Sequence, residues 1–268
     1  ATVLWAGLYW GGDTNNAARN TCRFGTPLAG YATQTATQTD VSANTRYSCF
    51  KDVTTLVQAG GAGTYKMANV YSTPGAADVY AGWAMVVVYR DATKPNRNLV
   101  VADGYALVDN TSTVTFTVNG FVTPPAGIVQ SRVGVVAYEG DVGFTGDSFS
   151  LNGTTLSDAV NPAANFFNST ISQFGANVTT RNPNYVNQLG FDIDLLTANG
   201  ILANGATSAT IAVATNGDTY YPAVLTFATD LYAPVMEGNS FSKTVTDVNG
   251  GAAQPGDVLE YTVRMQNT

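Results

Sequence analysis

Acidic residues and glycines are concentrated between residues 139 and 147, with the spacing of a cation site or of tight turns. Glu139, Asp141 and Asp147 carry the hard oxygen ligands that Ca²⁺ prefers, and calcium often holds the loops of extracellular β proteins. No segment matches the twelve-residue calcium-binding loop, and Asp and Gly are also ordinary turn residues. The sequence leaves two interpretations open, namely calcium binding by these three residues or turns without a metal.

Other carboxylates give the chain little catalytic potential. Asp192, Asp194 and Asp218 could add oxygen ligands to the same cation. A glycosidase needs two facing carboxylates, one with a raised pKa, but no spacing among these residues selects a pair. Histidine is absent, which removes the usual triad base and the commonest zinc ligand. We therefore expect a non-enzymatic protein, and a secreted polysaccharide hydrolase is the least favoured alternative.

Aromatic side chains are the remaining candidates for ligand binding, since their faces can stack on sugars. Trp5, Tyr9 and Trp10 have the spacing of strand residues, which is more typical of a core. Tyr220 and Tyr221 follow a predicted turn and are the better candidates for an exposed platform. They keep open a monomeric carbohydrate-binding module whose partners are glycans.

The chain has two cysteines, Cys22 and Cys49. They flank a segment rich in Thr and Gln that has no core pattern, and residues 14–47 are predicted to be a polar loop. A disulfide closing such a loop in an oxidising compartment would stabilise the fold by roughly 3–4 kcal/mol. We expect this disulfide, with two separate buried thiols as the alternative.

The overall composition indicates an extracellular protein. Of 268 residues, 45% are hydrophobic and only 12% are charged, so a large core is expected and the polar surface is mostly uncharged. The net charge of −7 argues against nucleic acid and anionic membranes as partners. No apolar run of about 20 residues is present, so no membrane span is expected. The first residues open directly into a strand pattern, as in a mature chain after signal cleavage.

Hydrophobic patterns predict an all-β fold, a large β-sandwich or jelly roll. Residues 80–90 are apolar on both alternating faces and are predicted to be the central strand, and residues 2–10 have a similar pattern. Residues 113–118 alternate threonine with apolar residues and predict a strand with one buried face. One or two short helices are expected, the first at residues 52–57 with an Asp near its start and the second, if there are two, at residues 191–196.

The composition changes near Pro234, and we divide the chain into residues 1–234 and 235–268. Residues 240–248 and 258–265 predict two strands, the opening of an immunoglobulin-like unit of about seven strands. Two strands are marginal alone, so we expect them to pair with another repeat or another molecule. The residues expected to take part in strand exchange are Val245, Leu259, Tyr261, Val263 and Met265. The second strand alternates more strongly and is the better donor.

The tail resembles a known bacterial repeat. The run from Lys243, through Pro255-Gly256-Asp257 and on to Val263, is similar to the first strands of the repeat of unknown function, type eleven, found in tandem on bacterial surface proteins. The preceding domain is similar to the N-terminal region that often comes before those repeats. This resemblance implies a secreted or surface-anchored β protein that serves adhesion or a surface fibre, without catalytic residues.

Together these observations predict a non-enzymatic extracellular structural protein of a bacterial surface. We expect a subunit of a fibre or adhesin that assembles by β-strand addition through its tail, with itself or with tandem surface repeats. The runner-up is the monomeric carbohydrate-binding adhesin.

Overall fold

The computed structural model of the chain describes residues 1–75, 78–232 and 241–265. It divides into two compact units, Ala1–Leu231 and Tyr232–Thr268. The boundary predicted after Pro234 lies outside the described residues. The prediction of an all-β fold is confirmed, with several sheets in a sandwich-like arrangement and one short helix in the described part of the chain.

The elements are numbered in chain order. The first part contains β1 (Thr2–Asp13), β2 (Thr21–Thr26), β3 (Ala29–Thr35), β4 (Gln38–Ser42), β5 (Arg46–Asp52), α1 (Thr54–Gly60), β6 (Lys66–Ala68), β7 (Ala81–Arg90), β8 (Arg97–Asp103) and β9 (Thr113–Asn119). The second part contains β10 (Ser131–Tyr138), β11 (Ser148–Leu151), β12 (Thr154–Thr155), β13 (Ile171–Gln173), β14 (Ala176–Asn177), β15 (Phe191–Thr197), β16 (Ser208–Ala214), β17 (Tyr221–Asp230), β18 (Phe241–Asp247) and β19 (Leu259–Met265).

The first unit contains four sheets. The β1 sheet has the strand order β4-β5-β1-β7, and the β2 sheet has the order β3-β2-β6. The β10 sheet has the order β14-β13-β15-β10-β17-β8, and the β16 sheet has the order β12-β11-β16-β9. Nearly all of these pairs are antiparallel, and β13 with β15 is a parallel one.

Strand β1 contributes to two hydrophobic clusters because successive residues of a strand point to opposite faces. Leu8 and Trp10 pack with Phe24 of β2 and Val57 of α1 in a first cluster. Tyr9 points to the other face and belongs to a second cluster. The β1 sheet therefore lies between two cores.

Strand β10 also contributes its two faces to two different hydrophobic clusters. Tyr138 belongs to the second cluster, together with residues of the β1 sheet. Val133 and Val135 point to the opposite face and pack with Phe149 of β11 and Ile211 of β16 in a third cluster. Each large side chain buried in this way contributes roughly 1.5–3 kcal/mol. The four sheets therefore stack in layers, with the β1 and β10 sheets in the middle.

The strand predicted to be central, residues 80–90, corresponds to β7, and the prediction of its position is wrong. Strand β7 lies at the edge of the β1 sheet, and β1 is its one sheet neighbour among the residues that the structure describes. Met85 and Val87 pack towards the first cluster, whereas Ala84 and Val86 belong to the second. Apolar residues on both faces identify a strand of an inner layer, but they do not distinguish its centre from its edge.

Two middle layers approach each other closely at Gly82. A Cβ atom at this position would lie within 2.6 Å of Cδ1 of Phe191 on β15. No side chain fits in that space unless the layers move apart. The glycine is therefore required by packing between the β1 and β10 sheets.

Of three other predictions from the sequence, one helix is found in the structure, and a second helix and a loop are wrong. The helix expected at residues 52–57 is present as α1, and Asp52 accepts the backbone N–H of Thr54 at 2.8 Å. The helix expected at residues 191–196 is wrong, because this segment is strand β15. The loop expected at residues 14–47 is also wrong, since it contains β2, β3 and β4. Strands β3 and β4 are largely exposed, so backbone pairing forms them without an apolar pattern.

The one-sided strand predicted at residues 113–118 is confirmed as β9. Val118 is buried in the third cluster, and Val114 and Phe116 pack against it. No helix in the described ranges is long and apolar enough to span a bilayer.

In the second unit, strands β18 and β19 form a hairpin. The two strands pair in antiparallel register, with Phe241 opposite Met265 and Val245 opposite Tyr261. The loop between them is held by Asp247 and Asn249, whose carboxylate and amide oxygens accept backbone N–H groups at 2.9 and 2.8 Å. The two predicted tail strands are therefore present and pair with each other.

Candidate functional site

Two aspartates on one face of β15 begin a buried polar network. Asp192 and Asp194 are 0% and 1% exposed and lie two residues apart, so they share a face of the strand. The backbone N–H of Thr170 donates to Oδ1 of Asp192 at 3.0 Å, and the hydroxyl of Ser172 donates to Oδ1 of Asp194 at 2.7 Å. Oδ2 of each carboxylate has no hydrogen-bond partner among the described residues.

Burial raises the pKa of both carboxyl groups. For Asp192 the loss of solvent is the largest cause, and the negative charge of Asp194 is the second. Burial raises the pKa of Asp194 to about 7, although the hydrogen bond from Ser172 opposes the shift. Low polarity and a like charge both disfavour ionisation. The pair therefore retains a proton at pH values where exposed aspartates are fully ionised.

Amide and hydroxyl groups from the preceding loop complete this network. Nδ2 of Asn161 donates to Oγ of Ser172 at 2.8 Å, and Oγ1 of Thr170 donates to Oδ1 of Asn168 at 2.7 Å. Nδ2 of Asn168 donates in turn to the backbone oxygen of Val160 at 2.8 Å. The four side chains that make these bonds are all buried. The network connects the loop to β13 and β15. Because these side chains are buried, groups nearer the surface are the candidates for contacting a ligand.

Asp147 anchors the same loop from another side. Its Oδ1 accepts the backbone N–H groups of Phe166 and Phe167, the latter at 3.0 Å. Asp147 is wholly buried, and burial raises its pKa even though these two hydrogen bonds lower it. The carboxylate thus positions two phenylalanines whose rings lie in the third cluster.

Glu139 and Asp218 form a second acidic group. Burial and, second, the negative charge of Asp218 raise the pKa of Glu139 to about 8, and Arg46 opposes the shift. Burial also raises the pKa of Asp218 to about 6, against hydrogen bonds from the backbone N–H groups of Thr219 at 2.7 Å and Asp141 at 3.3 Å. Glu139 therefore keeps its proton to a higher pH than Asp218 does. Chemically, this is a proton donor with a carboxylate as its neighbour.

Arg46 provides a positive charge in the same region. Its Nη1 donates to the hydroxyl oxygen of Tyr221 at 2.6 Å, and its guanidinium carbon lies 5.2 Å from the centre of that ring. Nε lies 3.4 Å from Oδ2 of Asp13. The guanidinium links β5, β1 and β17 and partly offsets the negative charge of the acidic group.

An open pocket of about 220 Å³ adjoins the acidic turn. Asp141, Ser169 and Asn187 contribute polar atoms to its lining, and Phe144 and Leu189 contribute apolar ones. Phe144 is 60% exposed and Leu189 is 73% exposed. Its apolar walls and few polar groups resemble those of small-molecule sites, but it is smaller than the roughly 300–1,000 Å³ that such sites usually have.

The structure does not assemble the predicted calcium residues into one ligand set. Asp147 is buried and bound to backbone N–H groups, Asp141 is exposed, and Glu139 is half-buried in the other acidic group. In the described residues, no group of three or more His, Cys, Asp or Glu side chains is arranged to hold a metal ion. Positive φ angles of 79° at Glu139 and 117° at Gly146 fit the turn interpretation of this segment.

The predicted exposed platform is wrong, because Tyr220 and Tyr221 are 0% and 1% exposed. The ring of Tyr220 stacks on Phe167 at 4.2 Å, and its hydroxyl donates to the backbone oxygen of Ala214 at 3.1 Å. Consecutive residues of an extended chain point to opposite faces, so Tyr220 enters the third cluster and Tyr221 the second. Both rings are core residues and cannot stack on a sugar.

Cys22 and Cys49 are both free, buried thiols in the first cluster, and the predicted disulfide is not formed in the structure. Burial raises the pKa of Cys22 to about 12 and that of Cys49 to about 11. The segment between them is folded into strands with backbone pairing of their own. The structure therefore has the alternative arrangement expected from the sequence, in which both cysteines are buried free thiols.

The residues predicted for strand exchange lie on one face of the hairpin. We call this the apolar hairpin face, and its members are Phe241, Val245, Leu259, Tyr261, Val263 and Met265, which are 38–64% exposed. Nζ of Lys243 lies 4.5 Å from the centre of the Tyr261 ring on this face. Thr244 and Thr262 lie opposite each other on the other face, which is polar.

Comparisons with known proteins leave the family open. No protein-family model and no curated protein sequence matches the chain. Among solved structures, T=1 particles derived from infectious bursal virus are 12% identical, with 86% of this chain and 56% of that chain covered and a TM-score of 0.28. The VP2 subviral particle of infectious bursal disease virus is 14% identical, with 85% and 56% covered and a TM-score of 0.28. The chain therefore spans little more than half the length of these proteins. A TM-score of 0.28 is too low to establish a shared fold or function. The resemblance to bacterial surface repeats stays a prediction.

Sequence reasoning missed how the acidic residues are grouped. It named Asp192, Asp194 and Asp218 only as further cation ligands, and it did not consider Arg46. The signal available for the β15 pair was the i, i+2 spacing, which places both aspartates on one face once the segment is read as a strand. No sequence signal connects Arg46 with Tyr221, since 175 positions separate them.

Proposed function

We propose that the chain is a non-enzymatic, extracellular structural protein of a bacterial surface, a subunit of a fibre or adhesin. The observation that supports this best is the apolar hairpin face. Six large apolar side chains on two seven-residue strands are exposed to solvent. A single hairpin is marginally stable in water, and covering apolar surface contributes about 25 cal/mol per Å². Association that brings these side chains against apolar side chains of a partner strand stabilises both the hairpin and the assembly.

The mode of association is β-strand addition. Strands β18 and β19 have each other as sheet neighbours among the described residues, so each presents an outer edge. Backbone groups on such an edge pair with a strand of another chain, and alternate side chains give specificity. The partner is a second copy or a tandem repeat of the same surface protein. Head-to-tail addition that does not close produces a filament.

The experiment compares two full-length variants, each with two lysines at positions that lie opposite each other on the hairpin. Val245→Lys with Tyr261→Lys places the charges on the apolar hairpin face, whereas Thr244→Lys with Thr262→Lys places them on the polar face. We expect the first variant to be monomeric in sedimentation velocity and to form no fibres in electron micrographs. The second should assemble like the unmodified chain.

This pair of variants controls for charge and for repulsion between the lysines. If both variants assemble equally, the apolar hairpin face is not the contact surface. If the unmodified chain is monomeric at all concentrations tested, the association proposal is refuted.

The pocket beside the acidic turn favours a second candidate, binding of a glycan by a monomeric chain. Its exposed Phe144 ring could stack on a sugar while Asp141 and Asn187 contact hydroxyl groups. We expect Phe144→Ala to abolish binding on a glycan array, whereas Phe174→Ala, another exposed ring, should retain it.

A further inference from the structure

Strand β7 presents an edge with little protection against pairing. It has ten residues, no proline, and no charged residue before Arg90 at its end. Its one sheet neighbour in the described parts of the chain is β1, so the backbone groups on its other side are not paired with a strand there. A long apolar edge of this kind is a template for pairing with another strand.

The side chains of β7 and β19 match in one antiparallel register. When Tyr261 lies opposite Tyr89, Val263 lies opposite Val87, and Met265 lies opposite Met85. The three pairs share one face, since they are two residues apart on both strands. On β7 this is the face that packs towards the first cluster.

Charges match in the same register. Glu260 then lies opposite Arg90, the one charged residue of β7, and both are exposed. Opposite charges that face each other across a strand pair are favourable, and like charges are not. The edge of β19 used by this contact is the one not paired with β18. Strand addition therefore joins the hairpin to the β1 sheet without breaking either.

We infer that β7 is the acceptor strand of the assembly and that β19 of a second copy adds to it in antiparallel register, with Tyr261 opposite Tyr89. This inference rests on the proposed function and identifies its missing half, the surface that receives the hairpin. The combined sheet has the order β4-β5-β1-β7-β19-β18, in which the last two strands come from the second copy. The apolar hairpin face then continues the side of β7 that faces the first cluster.

Disulfide trapping between two full-length variants tests the contact. Chains with Tyr89→Cys are mixed with chains with Tyr261→Cys under mild oxidation, and dimers are measured on non-reducing gels and by peptide mass spectrometry. The control mixes the Tyr261→Cys chain with Leu99→Cys, a residue of similar exposure on β8, which is also an edge strand. A thiol held beside its partner has an effective concentration of the order of millimolar. We therefore expect at least about tenfold more mixed dimer with Tyr89→Cys at micromolar protein.

A charge exchange provides a second measurement. Arg90→Glu and Glu260→Arg should each weaken association by roughly two- to fivefold, and the double variant should recover it, as expected for an exposed pair. Equal trapping at Tyr89→Cys and Leu99→Cys, or no recovery in the double variant, would overturn the acceptor assignment. If the lysine variants on the apolar hairpin face still prevent assembly in that case, the proposed function stands and only the acceptor is wrong.

Discussion

The buried carboxylates make a strong prediction about pH. Raising the pH from 5 to 8 should destabilise the first unit, and Asp194→Asn should reduce this loss. Burial raises the pKa of Asp194 in the folded chain to about 7, compared with an ordinary value of 3.8. A carboxyl group with a raised folded-state pKa favours folding only while it is protonated. Its contribution is therefore complete below pH 3.8 and is lost as the pH rises through 7.

The magnitude follows from proton linkage. Between pH 5 and pH 8 the remaining difference corresponds to about two pKa units, or about 2–3 kcal/mol of unfolding free energy. Asparagine cannot ionise, and its Oδ1 can accept the hydroxyl of Ser172 in place of the carboxylate oxygen. The unfolding free energy of Asp194→Asn should therefore change less over this interval, and the variant should be more stable than the unmodified chain at pH 8.

Urea unfolding followed by tryptophan fluorescence measures this effect. The three tryptophans, Trp5, Trp10 and Trp83, all belong to the first unit, so the signal reports that unit. Asp103→Asn is the control, because it removes a carboxylate from an exposed position. The reasoning is refuted if the unmodified chain is equally stable at both pH values, or if Asp194→Asn and Asp103→Asn show the same pH dependence.

Three further predictions concern packing and the thiols. Gly82→Ala should destabilise the first unit in urea unfolding by about 1–3 kcal/mol, because its Cβ overlaps the ring of Phe191. Thr123→Val should cost about 1–3 kcal/mol in the same assay, since the buried hydroxyl donates to Ala203 at 2.7 Å and accepts from Ala206 at 2.8 Å. Cys22 and Cys49 should react slowly with a thiol reagent in the native chain and completely in urea, because both are buried with raised pKa values. Absence of reactive thiol in urea would instead reveal the disulfide expected from the sequence.

The sequence determines the fold class because alternation and turn residues act locally. Strand β9 illustrates this, since threonines and apolar residues alternate along its first six positions and the structure has the same faces. The error at β15 has an equally local cause. Residues 191–196 were expected to form a helix, with Asp192 and Asp194 as further cation ligands. Only the tertiary network with Ser172 and Thr170 makes the burial of these aspartates in a strand possible. Local patterns cannot reveal partners that come from another loop.

The grouping of site residues was harder to predict for the same reason. Tyr220 and Tyr221 follow a turn, and turns are usually exposed, but these residues lie where the chain enters β17 between two cores. The pKa of Glu139 depends on Asp218 and Arg46, which are distant in sequence. A sequence lists carboxylates, whereas their protonation depends on which of them the sheets bring together.

The edges of the four sheets give the association proposal its physical basis. Strands β12 and β14 are two residues long, and β4 contains Gln38 and Asp40. Strand β8 carries Arg97 and Asp103 at its ends. Short length and charge are the features by which natural proteins prevent unwanted edge pairing. Strand β7 has neither over its first nine residues, although it belongs to a middle layer and is apolar on both faces. Strands β3 and β9 are also edges without charge, but each has seven residues and carries polar side chains. A ten-residue edge that is apolar on both faces up to Arg90 is therefore the one best suited to receive a partner strand.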